Sequence, residues 1–121
     1  MNLTMNPRQI GDVKIVDISG RIELGQESAA VRNLVGDLLN EGHKKILLNL
    51  AGVDYIDSSG LGALVSAFST VHKAGGQLKL LNLTDKVGDL MEVTKLYTVF
   101  DIATDEETAL KSFDQSSAAT A

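Results

Sequence analysis

Two short apolar runs, "KKILLNL" (residues 44–50) and "QLKLLNL" (residues 77–83), set the tightest limit on what this chain can fold into. Each is nearly continuous in apolar character, the pattern of a strand covered on both faces. Between them Leu61, Leu64, Val65, Phe68 and Val71 recur at helical spacing. A strand, a helix and a strand of these lengths call for a parallel pair joined by a right-handed crossover. Lys45 to Asn49 and Leu78 to Leu81 are therefore expected as adjacent parallel strands, linked by a helix from about Ser59 to Ala74. His72 and Lys73 suit its last turn, and Gly75-Gly76 end it.

The rest of the chain adds to this unit. "LTMNPRQIGDVKIVDISG" reads as two strands around a Gly11-Asp12 hairpin turn, and Pro7 restricts its own strand to an edge. From Glu27 the period becomes helical through Val31, Leu34, Val35, Leu38 and Leu39, with Gly42 as the stop. Val87, Leu90 and Met91 predict a third helix with Thr84 as its N-cap, and "YTVFDI" a short last strand. Thr104 to Glu107 has capping-box form and opens a fourth helix through Ala109, Leu110 and Phe113. The tail 114–121, "DQSSAATA", lacks apolar anchors and is expected to be disordered. The sum is one α/β domain over residues 1–113, with a mixed sheet of four or five strands and about four helices.

Composition removes several functions. With 121 residues, 44 % of them hydrophobic, the chain can bury a core without staples. It has no cysteine, so disulfides, thiolate catalysis and sulfur-ligated metals are excluded. Net charge is −5 and no basic cluster occurs, which argues against a nucleic-acid partner. "MNLTMNPRQIGD" has no basic head before an apolar core, so no signal peptide is expected; no apolar run is long enough for membrane insertion. A cytoplasmic domain is the expectation.

The chemistry is concentrated where the first run meets the helix, in "DYIDSSGLGALVSAF" (residues 54–68). In open α/β sheets the carboxyl end of a central strand is where ligands and partners gather. A plain helix cap by Asp57 or Ser58, with Gly60 in a tight turn, explains part of the pattern. It does not require Asp, Ser, Ser and Gly in succession, or Gly62 inside a helix, where glycine costs ~1 kcal/mol relative to alanine. Close approach by the sheet or a partner would offset that cost. If a partner approaches the backbone at Gly60, valine there should weaken binding more than stability. A dinucleotide fingerprint fails, because Gly60-x-Gly62 supplies two of three glycines and Val65 stands at the third position. A serine hydrolase fails too: His43 and His72 each lie roughly 20 Å from Ser58 by strand and helix rise. What remains is a hydroxyl displayed at a helix N-terminus among acids, a modification site on an interaction surface reaching toward Glu23 to Gln26.

These residues carry a family resemblance. "VDYIDSSGLGALVSAF", preceded by "KKILLNLAG" and followed by "AGGQLKLLNL", resembles the STAS domain of bacterial anti-sigma factor antagonists. The hallmark Asp-Ser-[Ser/Thr]-Gly-Leu-Gly matches Asp57, Ser58, Ser59, Gly60, Leu61 and Gly62 in order. An early Gly-x-x-Asp stands here as Gly20-Arg21-Ile22-Glu23, which keeps the charge on a longer arm. The resemblance implies a partner switch without enzymatic activity of its own. An anti-sigma factor with serine kinase activity phosphorylates Ser58, a PP2C-type phosphatase reverses it, and the unmodified form binds the anti-sigma factor. The partner-binding set so implied is Glu23, Asp57, Ser58, Ser59, Gly60, Leu61 and Gly62. Nucleotide and magnesium belong to the kinase, so no cofactor is implied. The alternative within the family is an accessory or scaffold subunit of a transporter or stress-sensing complex.

Overall fold

The computed structural model describes residues 2–119, with side chains described through Phe113. The hairpin forms as expected. β1 (Leu3–Ile10) and β2 (Val13–Ile22) run antiparallel from Ile10↔Val13 to Leu3↔Gly20, and Gly11 takes φ 60° in the turn. β3 (Lys45–Ile56) lies parallel to β2, and β4 (Gln77–Leu81) parallel to β3 with Lys45↔Gln77 to Asn49↔Leu81 in register. β5 (Ile102–Ala103) closes a five-stranded mixed sheet of order β1-β2-β3-β4-β5. Pro7 sits in the edge strand β1, where the lost N–H faces no ladder that needs it.

Strand alternation divides the core. Ile46, Leu48 and Leu50 point to one face with Val16 and Ile18, and there meet α1 (Gln26–Asn40), α2 (Ser58–Lys73) and α3 (Asp85–Thr94). Leu47 points to the other face, where Val13, Ile15 and Leu81 pack under Ala109 and Phe113 of α4 (Glu106–Ala119). Arg8 holds α4 to the hairpin by pairing with Asp17 at 2.7 Å and with Glu106. Leu61, Leu64 and Val71 of α2 are buried as their spacing predicts, and Val65 and Phe68 pack at the margin. Ala63 and Ala67 are buried as well, small residues outside the apolar stripe.

Three local expectations are corrected. "YTVFDI" is not one strand: Lys95 takes φ 62°, residues Leu96–Thr98 make a 3-10 turn, and only Ile102–Ala103 pairs with β4. Phe100 instead turns inward and meets Phe68 edge-on at 5.5 Å. Thr84 occupies the N-cap position of α3, but its hydroxyl donates to the Val53 carbonyl at 2.8 Å and makes no cap. At α4 the capping side chain is Asp105, whose Oδ2 accepts from the Thr108 N–H and hydroxyl, both at 2.9 Å; Thr104 lies one residue too early. The backbone of α4 runs to Ala119, across most of the tail expected at 114–121, and residues 120 and 121 lie outside the described residues. Among the described residues no helix is long and apolar enough to cross a membrane.

Candidate functional site

The site is assembled by the register of two central strands. β2 and β3 are parallel and end together, Ile22 opposite Ile56, so the loops that follow them lie side by side at the carboxyl edge of the sheet. The Asp57 N–H donates to the Ile22 carbonyl at 3.3 Å, carrying the pairing one residue beyond the strand. α2 then starts at Ser58.

Asp57 joins the two loops through its side chain. Oδ1 accepts from the Gly60 N–H at 2.8 Å, which caps α2; Oδ2 accepts from the Leu24 N–H at 3.0 Å, across the strand boundary. The Gly60 N–H, with the Leu24 N–H adding to it, holds this carboxyl below the ordinary carboxylate range, because both bonds favour the charged form. A depressed folded-state pKa adds stability that is fully present above the unfolded-state value and lost as pH falls through the folded one. Melting curves of wild type and Asp57→Ala should therefore be offset by a constant amount above about pH 5 and converge on acidification below about pH 4. A gap that stays constant into acid would show that the carboxylate contributes nothing as a charge.

The two serines differ. Ser58, at the first helical position, is exposed, and Ser59 is half-buried. Among the described residues neither hydroxyl makes a hydrogen bond. Glu23, on the neighbouring loop, is half-buried and pairs with Arg21, whose Nε lies 2.6 Å from Oε1. The Arg21 guanidinium in turn sits 4.2 Å above the Tyr55 ring. The Glu23 carbonyl accepts from the N–H and hydroxyl of Ser28, at 3.1 and 2.6 Å, which locks the loop onto the start of α1.

Two of the expected contact residues point inward. Leu61 is 4 % exposed and belongs to the core. Gly60 is buried too: a Cβ built on it would overlap the Ile22 carbonyl and lie 2.8 Å from Cγ1 of Ile56. Both shape the surface from beneath. The close approach anticipated for a helical glycine is thus made by the chain's own β2, and made at Gly60. Gly62 has nothing within 4 Å of its would-be Cβ and is exposed. Gly60→Val is therefore expected to act on the fold first. The structure therefore brings Glu23, Asp57, Ser58, Ser59 and Gly62 together at one accessible edge.

Leu24 joins them, a residue inside the Glu23 to Gln26 stretch that the sequence attaches to the surface without singling it out. It is 76 % exposed in the loop after β2. Its position hid it: Val16, Ile18 and Ile22 alternate toward the core, and Leu24 continues that spacing as though the strand ran on. Gly25, with φ 98°, ends the alternation and is the signal that could have exposed it. The histidines lie away from this edge. His43 is half-buried, 3.8 Å from Glu41, and His72 stacks on Phe68 in the last turn of α2.

Fold and site define a class: a small mixed-sheet α/β domain that carries its candidate groups between a central strand and the helix after it. Within that class the chain belongs to the STAS domain family, whose model matches residues 4–109. It is 33 % identical over 107 residues to the anti-sigma-B factor antagonist of Bacillus subtilis, covering 88 % of this chain and 96 % of that one. The anti-sigma F factor antagonist of Paenibacillus polymyxa is 26 % identical over 111 residues, covering 91 % and 94 %. Among solved structures, a candidate anti-sigma factor antagonist from Thermotoga maritima superposes with a TM-score of 0.81 at 24 % identity, over 91 % of this chain and 94 % of that chain.

Proposed function

We propose that the protein is an anti-sigma factor antagonist controlled by phosphorylation at Ser58. In this reading it acts by binding, in the cytoplasm. Unmodified, it engages an anti-sigma factor with serine kinase activity through the edge formed by Glu23, Asp57, Ser58, Ser59 and Gly62. Transfer of a phosphoryl group to Ser58 ends that engagement, and a PP2C-type phosphatase restores it. The observation that carries the proposal is Ser58 itself: an exposed hydroxyl at the first position of α2, beside a half-buried Ser59. Exposed Gly62 supports it, since among the described residues nothing approaches within 4 Å of its would-be Cβ to account for its cost in the helix, and a closely approaching partner would. The names of the relatives support the partner class. An accessory or scaffold role has no need of an accessible serine at this position.

The experiment is capture of the protein from its native host, followed by phosphosite mapping and incubation with each co-purifying kinase and ATP. A single phosphate on Ser58, and retention of an anti-sigma factor by the unmodified form only, is the expected result. Capture of a transport complex with Ser58 unmodified would replace this reading with the accessory one.

A further inference from the structure

We infer that Leu24 is the apolar anchor of the partner surface, held out by Asp57 toward an anti-sigma factor that offers an apolar socket rimmed by basic groups. The inference rests on the antagonist reading and adds to it a residue, its positioning group and the chemistry of the facing surface.

An exposed leucine alone carries little meaning, because apolar atoms make up much of any protein surface. Leu24 differs in how it is held. Its own N–H is bound by Asp57 Oδ2 at 3.0 Å, and the carbonyl before it takes two hydrogen bonds from Ser28. On its other side, the Ala29 N–H reaches the Gly25 carbonyl at 3.0 Å. A side chain 76 % exposed is thus presented from a backbone with little freedom left to lose, the condition under which burial at an interface returns most as affinity. The other large exposed apolar residues lie elsewhere: Ile10 at the hairpin, and Val93, Tyr97, Val99 and Ile102 between the far end of α3 and β5. Among the described residues, Leu24 is the large apolar side chain exposed beside Ser58.

Charge defines the rim. Glu23, Asp54 and Asp57 lie on or next to the two loops, against one cation, Arg21, already paired with Glu23. The complementary surface is basic around an apolar centre, the arrangement in which the centre sets the dissociation rate and the rim sets the association rate and its salt dependence.

Asp57 acts here as a positioning residue. An asparagine has one acceptor where the carboxylate has two, so Asp57→Asn can serve Gly60 or Leu24 but presents an N–H to the other. The α2 cap is local and favoured, which leaves the Leu24 loop untethered.

The test measures binding to the purified anti-sigma factor that the wild-type protein retains, using wild type, Leu24→Ala, Asp57→Asn, the double variant, and Val93→Ala as an equally exposed control. Leu24→Ala should lose roughly 10- to 100-fold in affinity, mostly through faster dissociation, with an unchanged melting temperature. Val93→Ala should bind as wild type does. Asp57→Asn should weaken binding much more when introduced into wild type than when introduced into the Leu24→Ala variant, and the Leu24 amide should lose its hydrogen-exchange protection. Wild-type binding with Leu24→Ala within about twofold overturns the anchor. Equal cost of Asp57→Asn in both backgrounds overturns the positioning role. No wild-type binding to any anti-sigma factor overturns the antagonist reading, and the anchor with it.

Discussion

Gly60→Val should melt at least ~10 °C below wild type, whereas Gly62→Ala, two residues along the same helix, should melt ~2–5 °C above it. The opposite signs come from what lies under each Cβ. At Gly60 the obstacle is the Ile22 carbonyl, backbone at the end of a central strand, and Ile56 is the next atom group met. That carbonyl cannot swing aside cheaply, because it also accepts the Asp57 N–H. Relief requires α2 to lift from the sheet, which opens the packing of Leu61 and Leu64 beneath it. Overpacking of a core costs ~1–3 kcal/mol and more where the neighbour is rigid, a large part of a total stability of roughly 5–15 kcal/mol. At Gly62 there is open space, so alanine gains helix propensity of ~0.5–1 kcal/mol without a clash. Differential scanning calorimetry of the two variants reads both effects. A Gly60→Val protein that melts within about 3 °C of wild type would falsify the account of the α2–β2 contact. The binding phenotypes separate further: loss in Gly60→Val follows unfolding, while loss in a folded Gly62→Ala protein would report a partner close to the helix surface.

The difference between these two glycines shows what the sequence could convey and what it could not. Periodicity placed β3 and β4 as adjacent parallel strands, because Ile46, Leu47 and Leu48 must be covered on both faces and the crossover has one hand. It placed α2, and it pointed to the candidate edge, because the carboxyl end of a central strand follows from topology alone. It could not say that β3 runs to Ile56, since Ala51, Gly52 and Asp54 break the apolar pattern, while pairing with β2 resumes at Gly52 and Val53 and again at Tyr55 and Ile56, across two irregularities in the register. That extension brings Ile22 opposite Ile56 and so decides which glycine is pressed against a carbonyl. The exposure of Leu24 was hidden for a related reason: its spacing matches a strand that had already ended. The α4 cap shows the same limit at smaller scale, where Thr104 and Asp105 both suit a cap and the N–H and hydroxyl of Thr108 go to Asp105. Spacing reports which faces are apolar. It is silent on the third dimension, where one backbone touches another.

Phosphorylation of Ser58, or Ser58→Asp, should lower affinity for the anti-sigma factor at least ~100-fold while leaving the melting temperature nearly unchanged. The fold is insensitive because two terms nearly cancel. A phosphate brings about −1.5 to −2 charge to a helix N-terminus, where the dipole favours an anion by ~0.3–1 kcal/mol. The carboxylates of Asp57, already seated on the Gly60 and Leu24 amides, and of exposed Asp54 oppose it by a similar order after screening. Ser58 supports no packing that the modification would break, being exposed. Binding has no such cancellation. An interface closing over Ser58 must strip water from a dianion one residue from the Leu24 tether, and this costs several kcal/mol, because basic groups on the partner already matched to Glu23 and Asp57 are not free to neutralise it as well. A loss of ~2.7 kcal/mol is already a hundredfold. The modification should thus block the partner and leave the domain folded. Ser58→Ala should bind constitutively and accept no phosphate, and Ser59→Ala should still be phosphorylated, since Ser59 is the less accessible hydroxyl. Titration calorimetry with the anti-sigma factor, melting curves and mass mapping of the kinase product decide the matter together. A phosphate found on Ser59, or wild-type affinity in Ser58→Asp, means the switch lies elsewhere on this edge; a large fall in melting temperature on phosphorylation means it works by unfolding α2.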